Sequence, residues 1–331
     1  MNTTTATKLK KIGIGAAIFL LILIGYQLIA PKPPLQQSKQ EEIKIGYIGP
    51  LTGEAGSIGE AGIGGAQLAI QEINNAGGVL GKKLKLVPED DFCTGEGGAK
   101  AMHKLVNVDK VVAITGPDCS VSAESALPIA QQVGVPTVIR WASASGLTDV
   151  GSYIFRIHPS DALQGKFIAE FIFNRLQRRT VAMIYVQNAW GTGIKDTFTK
   201  RFGELGGEVV YTSGITQESR DMRTELVKIK NTRAEILFLP IYFANATAAL
   251  KQAYEVGITV PIVGGDTFTA DEVQQAVGSE GVLYSVAKLD NPEEFQTKVF
   301  AATATKGDKL AAPLAYDSIY IIAEAIEKLK K

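Results

Sequence analysis

Short apolar runs alternate with helical patterns from residue 43 to the end of the chain. Short runs bounded by Gly, Pro and Asp are typical of buried strands. Between the runs, apolar side chains recur every three to four residues, which predicts helices that bury one face. The predicted strands are residues 43–48, 83–87, 111–115, 136–139, 153–156, 180–186, 208–211, 236–240, 261–263 and 281–286. The predicted helices are residues 59–75, 97–106, 123–132, 161–175, 190–205, 220–230, 243–256, 292–305 and 313–330.

This alternation of strands and helices occurs in two series, with a break near His158. Connections as short as these favour parallel sheets with helices on both faces. The sequence therefore predicts an α/β protein with two doubly wound, Rossmann-like lobes joined by a hinge. The first lobe is expected to cover residues 43–157 and the second residues 158–312.

Composition excludes several classes of function. Lys and Arg number 34, as do Asp and Glu, and no basic stripe marks a nucleic-acid surface. The two histidines and four methionines are too few for a His-built metal site or a Met-rich surface, and we expect neither a metal nor a cofactor. No Gly-x-Ser-x-Gly motif or other nucleophile–base pair is present, so an enzyme is the least expected class.

The N-terminal residues have the pattern of a membrane-targeting segment. Lys8, Lys10 and Lys11 precede an uncharged apolar run at residues 12–30. We predict an uncleaved signal anchor there, with residues 1–11 as a cytoplasmic tail; a signal peptide cut at an atypical site is the alternative. Residues 31–42 are rich in proline and polar side chains and form the expected linker to an extracytoplasmic domain.

The two cysteines, Cys93 and Cys119, follow neighbouring predicted strands. Adjacent strand ends could bring them within reach of a disulfide bond, and an oxidising compartment would favour it. Two buried free thiols are the alternative.

Polar loops follow two neighbouring strands in residues 116–149. Ser120 and Ser122 stand where a helix begins, and free N–H groups there can bind an anion. The next strand runs into the small polar loop at residues 142–145, and two such loops can hold one carboxylate between them. From these residues alone, Ser120 and Ser143 are interpreted as a helix cap and a turn former.

Six segments resemble the extracellular solute-binding proteins of the branched-chain amino acid (Leu/Ile/Val) type, which have the type I periplasmic binding fold. They are IKIGYIGPLTG (43–53), INNAGGVLGKKLKLVPEDD (73–91), GPDCS (116–120), PTVIRWASASGLT (136–148), FRIHPSDALQG (155–165) and NAWGTG (188–193). The resemblance implies that the last helix, within residues 313–331, returns to the first lobe. It also implies that Cys93 and Cys119 pair as a disulfide.

The resemblance also implies a set of ligand-binding residues. Ser120 matches a serine that binds the ligand carboxylate, and Ala142 matches a position that contacts it through the backbone. Either Ser143 or Ser145 supplies the next hydroxyl, because this loop is one residue shorter than usual. Arg140–Trp141 replaces a commoner pair that is small or contains proline. Arg140 could bind a second acidic group or pair with a surface carboxylate.

Three further matches lie in the expected second lobe. Trp190 matches an aromatic residue that packs on the ligand, and Tyr242 matches a tyrosine that reaches the bound amino acid. Asp266 matches the acidic residue that pairs with the ligand ammonium. Taken alone, Asp266 would be interpreted as a helix cap or turn residue.

We therefore expect an extracytoplasmic binding protein that delivers an amino acid, of the branched-chain type or related, to the permease subunits of an ABC importer. Ligand binding is expected to close the hinge. One alternative is a ligand-sensing ectodomain for a signalling partner. Another is the binding of an amide or an aromatic acid in place of an amino acid.

Overall fold

Two five-stranded parallel sheets form the framework of the protein. The structure is a computed structural model and describes residues 41–53, 55–288, 292–304 and 310–329. The strand order is β2-β1-β3-β4-β5 in the first sheet and β10-β9-β8-β6-β7 in the second. The first sheet contains β1 (Ile43–Gly49), β2 (Leu84–Asp90), β3 (Ala113–Thr115), β4 (Thr137–Ile139) and β5 (Ile154–Arg156). The second contains β6 (Thr180–Val186), β7 (Glu208–Ile215), β8 (Ile236–Leu239), β9 (Ile262–Gly264) and β10 (Leu283–Tyr284).

Helices connect successive strands in both halves. The helices are α1 (Gly56–Asn75), α2 (Gly95–His103), α3 (Ser120–Val133), α4 (Asp161–Glu170), α5 (Ala189–Glu204), α6 (Arg223–Lys230), α7 (Phe243–Val256), α8 (Asp271–Gln274), α9 (Pro292–Thr303) and α10 (Ala311–Lys328). The short π-helical segments Lys104–Asp109 and Phe171–Arg175 extend α2 and α4, and Leu147–Val150 and Asp266–Thr269 are 3₁₀ turns.

Local sequence explains where these elements begin and end. Every residue of β8 is buried, as expected for a central parallel strand covered on both faces. The helices α3 and α7 stop at Gly134 and Gly257, whose φ angles of 72° and 74° suit glycine best. Thr94 caps α2 and Asn188 caps α5, each through its side-chain oxygen.

The last helix lies on the first sheet's side of the molecule. Helix α10 packs along α1, where an added side-chain carbon on Gly65 would come within 2.0 Å of the Ala312 carbonyl oxygen. The Ser318 side chain also forms a short hydrogen bond with Thr115 at the end of β3. These contacts fit the expected return of residues 313–331 to the first lobe.

The α/β fold with two parallel-sheet lobes is confirmed, and each predicted strand and helix has an observed counterpart. The observed bounds differ by a few residues, most at β7, which continues to Ile215. The predicted segments 1–11 and 12–30 and nearly all of the linker 31–42 lie outside the described residues. Within the described part of the chain, no helix is long and apolar enough to cross a membrane.

Candidate ligand-binding cleft

A small cavity lies between the carboxyl edges of the two sheets, where ligands of doubly wound proteins bind. Its volume is about 30 Å³. The side chains around it come from both halves, so ligand contacts there would bridge the lobes. The lining residues are Pro50, Ala55, Ile58, Asp118, Cys119, Ser120 and Trp141 on the side of the first sheet, and Trp190, Tyr242, Phe243, Asp266 and Thr267 on the side of the second.

Ser120 is the first residue of α3, and its helix N-terminus opens on the cavity. The first N–H groups of a helix have no partner within the helix, and the helix dipole adds positive potential at this end. The Ser120 Oγ accepts a hydrogen bond from the Ala144 N–H at 3.2 Å, so its own proton can be donated to a ligand. This end of the cavity suits an anion.

Arg140 has a structural contact rather than a place in the cavity lining. Its guanidinium donates to both carboxylate oxygens of Asp118, at 2.9 and 2.5 Å, and to the Ile48 carbonyl at 2.7 Å. It also stacks over the Tyr47 ring at 3.8 Å. The expected ion pair is therefore present, but its carboxylate is buried and not on the surface, since the Asp118 side chain is 4% exposed.

Trp190 and Tyr242 form an aromatic wall on the other side. Their rings stack with centroids 5.1 Å apart, and both side chains are buried. The Trp190 ring also lies close to Gly265, immediately before Asp266. Both residues come at the starts of helices that follow β6 and β8, which places them at the strand ends.

Asp266 is buried at the base of the cavity with one oxygen bonded and one free of a described partner. Its Oδ2 accepts a hydrogen bond from the Trp141 indole Nε1 at 2.9 Å, across the gap between the lobes. No hydrogen-bond partner of Oδ1 is present among the described residues. A buried carboxylate that lacks a partner is costly unless a cation or donor reaches it.

Asp161 is a second buried carboxylate near Asp266, and it was not among the ligand residues predicted from the sequence. Both its oxygens lack a hydrogen-bond partner among the described residues, and the side chain is fully buried. Burial raises the pKa of the Asp161 carboxyl to about 7; the nearby Ser143 hydroxyl opposes this rise, and the negative charge of Asp266 adds to it. Its place in the FRIHPSDALQG segment was the signal that could have identified it.

His158 completes this charged group. Its Nε2 lies 3.8 Å from Asp266 Oδ2, while Nδ1 lies 3.0 Å from the Pro159 carbonyl oxygen. Burial lowers the pKa of the imidazole, which favours the neutral form with the proton on Nδ1. In that form Nε2 offers Asp266 no proton, so the carboxylate keeps its need for a donor.

Of the seven predicted ligand residues, Ser120, Trp190, Tyr242 and Asp266 meet at the cavity. In the described structure, Ala142 and Ser143 are buried but do not line the cavity, and the Ser143 carbonyl accepts from the Asp161 N–H at 3.0 Å. The structure does not support Ser145 as a ligand residue, because Ser145 is exposed and does not line the cavity. The loop turns outward there, at Gly146 with φ of 85°, so Ser143 is the serine that faces inward.

The disulfide between Cys93 and Cys119 is present, with the two Cα atoms 5.4 Å apart. It confirms the expected pairing and fixes the N-terminus of α3 to the end of β2. Asp91 reinforces the same junction, since its carboxylate accepts from the Ser122 hydroxyl at 2.6 Å and from the Cys93 N–H at 2.9 Å. The helix N-terminus that borders the cavity is thus held in place by a covalent bond.

Comparison with known proteins gives a consistent result. The family model of periplasmic binding proteins matches residues 42–331. A leucine-, isoleucine-, valine-, threonine- and alanine-binding protein of Pseudomonas aeruginosa is 29% identical over 294 residues, covering 87% of this chain and 79% of the relative. An amino acid binding protein of the same organism is 30% identical over 247 residues, covering 73% of this chain and 66% of its own length.

A solved structure agrees in fold. The branched-chain amino acid transporter substrate-binding protein of Streptococcus pneumoniae, in complex with isoleucine, superposes with a TM-score of 0.78 and is 28% identical. The match covers 87% of this chain and 84% of that protein.

Proposed function

We propose, since the chain belongs to the periplasmic binding protein family, that its cleft binds an amino acid for uptake by an ABC importer. The protein is an extracytoplasmic solute-binding protein, and its task is to bind and release a solute. One of the relatives named above binds leucine, isoleucine, valine, threonine and alanine, and the solved structure holds isoleucine. Both support this ligand class.

One observation carries the choice of a zwitterion. Asp266 lines the cavity that also borders the N-terminus of α3, and one of its buried oxygens has no partner among the described residues; both oxygens of the neighbouring Asp161, which does not line the cavity, are in the same state. A ligand ammonium would supply the missing donors, and charge-assisted hydrogen bonds in a buried cleft are short and strong. The ligand carboxylate would meet the N–H groups of α3 and the Ser120 hydroxyl.

Trp190 and Tyr242 would cover the ligand from the second lobe. Their stacked rings exclude water from the carboxylates, which strengthens the electrostatic contacts that a bound ammonium makes. Because the lining comes from both lobes, a ligand would hold the lobes together, as hinge closure requires.

The test is Asp266→Asn, which keeps the size of the side chain and an acceptor for the Trp141 indole. We expect it to weaken amino-acid binding by about 3 kcal/mol, roughly a hundredfold, because the ammonium loses its charged partner. Isothermal titration calorimetry of the full chain, freed of co-purified ligand by unfolding and refolding, measures the change across a set of amino acids.

The matched control is Asp271→Asn, an exposed aspartate at the start of α8, which is expected to bind as the wild type does. Analogues extend the test: propionate lacks the ammonium of alanine and ethylamine lacks its carboxylate, and neither is expected to bind. Wild-type affinity in Asp266→Asn, or binding of propionate as tight as that of alanine, would contradict the proposal.

We also propose that residues 12–30 anchor the protein to the membrane, with residues 31–42 as the tether. The uncharged apolar run after three lysines supports this. Retention of the expressed chain in membranes after an alkaline wash is the expected result, and release of the chain into the wash would contradict anchoring.

A further inference from the structure

Trp141 crosses the cleft and occupies much of it. It follows β4 of the first sheet, yet its indole N–H bonds the Asp266 carboxylate of the second half at 2.9 Å. Its ring packs edge-on against Phe243, with centroids 6.4 Å apart and an interplanar angle of 68°. The side chain is 6% exposed, so it belongs to the interior of the closed cleft.

The space left beside this ring is small. A water molecule needs about 10–15 Å³ of a cavity measured in this way, so 30 Å³ holds two or three waters. Each water takes roughly 30 Å³ in the liquid, so two or three waters occupy about 60–90 Å³. That is about the volume of glycine or alanine, which have five and six heavy atoms. A leucine or isoleucine side chain adds further carbons, for which this cleft has no room.

The ring is also held where it is. The preceding residue, Arg140, is fixed by its bonds to Asp118 and to the Ile48 carbonyl, which restrains the backbone at the base of the indole. Moving the ring aside would break a hydrogen bond to a charged group and leave neither Asp266 oxygen with a hydrogen-bond partner among the described residues. Expanding the cleft for a larger side chain would therefore break several contacts at once.

We propose that Trp141 is the specificity-determining residue of the cleft and limits it to amino acids with small side chains, of the size of glycine and alanine. This inference rests on the proposed function and narrows its ligand class. Trp141 acts by filling space and by holding Asp266 in position for the ligand ammonium.

Another route for a long side chain would be the larger cavity on the far side of Asp266. That cavity has a volume of about 250 Å³ and an apolar lining that includes Leu163, Phe167 and Val286. Asp266 lines both cavities, so an apolar side chain that entered the larger one from the smaller would pass the buried carboxylate. The test below separates this route from the one that Trp141 controls.

The experiment compares the wild type with Trp141→Ala by calorimetry of the full chain, freed of bound ligand, against glycine, alanine, leucine and phenylalanine. We expect the wild type to bind glycine or alanine at least tenfold more tightly than leucine. In Trp141→Ala we expect the ratio of leucine to alanine affinity to rise at least tenfold, since each added methylene in an apolar pocket changes affinity by roughly tenfold or more. Trp141→Phe, which keeps most of the bulk, should retain the order of preference.

The control is Phe167→Ala, which enlarges the far cavity and is expected to leave the preference unchanged. A rise in leucine affinity in Phe167→Ala but not in Trp141→Ala would overturn the inference in favour of the far cavity. Where Trp141→Ala does not melt cooperatively, Trp141→Leu is measured in its place and should shift the ratio in the same direction.

The outcomes also separate the two proposals. Amino-acid binding with the same leucine-to-alanine ratio in wild type and Trp141 variants overturns the role of Trp141 alone. Binding of leucine by the wild type as tightly as alanine would also overturn the role of Trp141. Failure of the wild type and of every variant to bind any amino acid overturns the proposed function, and this inference with it.

Discussion

Asp161 holds a carboxyl group that is easier to protonate than an ordinary aspartate. Its pKa is raised to about 7 by burial, above the value of about 3.9 expected in the unfolded chain. Below about pH 4 the ionisation of Asp161 therefore has little effect on the free energy of unfolding. This free energy falls as the pH rises from about 4 to 7 and stays at the lower value at higher pH. An ammonium bound beside Asp161 would reverse this fall.

Asp161→Asn is expected to act in opposite directions on stability and on binding. Without ligand at pH 8, the free energy of unfolding should rise by about 2–4 kcal/mol, because a buried charge is removed. Near pH 4 the difference should fall to less than about 1 kcal/mol, since the wild-type carboxyl is then protonated in the folded state and about half protonated in the unfolded chain. Amino-acid affinity at pH 8 should fall. Urea denaturation at the two pH values and calorimetry measure these effects.

Asp196→Asn is the control, because the Asp196 side chain is 63% exposed. It should change the free energy of unfolding by less than about 0.5 kcal/mol at either pH. The buried Asp91, whose pKa burial raises to about 6, is present in both proteins and cancels in the comparison. A variant at Asp161 that is less stable than the wild type at pH 8 would show that the carboxylate is partnered in the free protein.

Candidate site residues that follow strands could be predicted from the sequence. Ser120, Trp190, Tyr242 and Asp266 were identified by their matches to family motifs, and strand ends do bring them together. Asp161 was missed because its neighbour Asp266 is far away in sequence, and a first-turn aspartate has an ordinary interpretation as a cap. The contact from Trp141 to Asp266 joins residues 125 apart, which no local pattern predicts.

At the scale of elements, the contact between α1 and α10 depends on one glycine. An added carbon on Gly65 would lie 2.0 Å from the Ala312 carbonyl oxygen, and backbone atoms cannot move aside as side chains do. The two helices therefore approach each other more closely than any larger residue would allow.

Gly65→Ala should lower the free energy of unfolding by about 1–3 kcal/mol, since the helices must move apart or lose packing. The matched control is Gly203→Ala in α5, where the added carbon meets no atom within 4 Å. That variant should be neutral or up to about 1 kcal/mol more stable, because alanine favours helix. Urea denaturation compares both, and equal stability of the two variants would contradict the close helix contact.

The disulfide is the second feature at this scale. It joins residues 26 apart and restrains the unfolded chain. On the chain-entropy model, replacing both Cys93 and Cys119 by serine should lower the free energy of unfolding by about 3–4 kcal/mol. The protein has no other cysteine, so a reductant should destabilise the wild type and leave the double variant unchanged. A reductant effect of similar size on both proteins would show that it acts elsewhere.

Element positions were predictable because each strand is a short apolar run between turn residues. The ends of the elements were harder to predict. Strand β7 continues to Ile215 through the exposed Thr212 and the partly buried Ser213 and Gly214, so hydrophobicity does not mark its end. At Asp266 the local pattern indicated only a helix cap or a turn; the burial of all four residues of the 3₁₀ turn Asp266–Thr269 depends on tertiary contacts that the pattern does not contain.

At the scale of the whole molecule, the two halves repeat one plan. In each sheet the first strand in sequence lies between the second and the third, and the fourth and fifth follow outward. This common order puts the ligand-facing loops of both halves at equivalent strand ends, so the two edges can face each other. Periodicity alone predicted two series of elements; the resemblance to a family supplied the way they face each other.

The hydrogen bond from Trp141 to Asp266 joins the two halves through side chains of the protein itself. Under the proposed function, a solute would add its own contacts to a link that the protein already supplies. Part of the free energy of closure would then come from the carrier and not from the cargo, so a solute that makes few contacts of its own could still be carried.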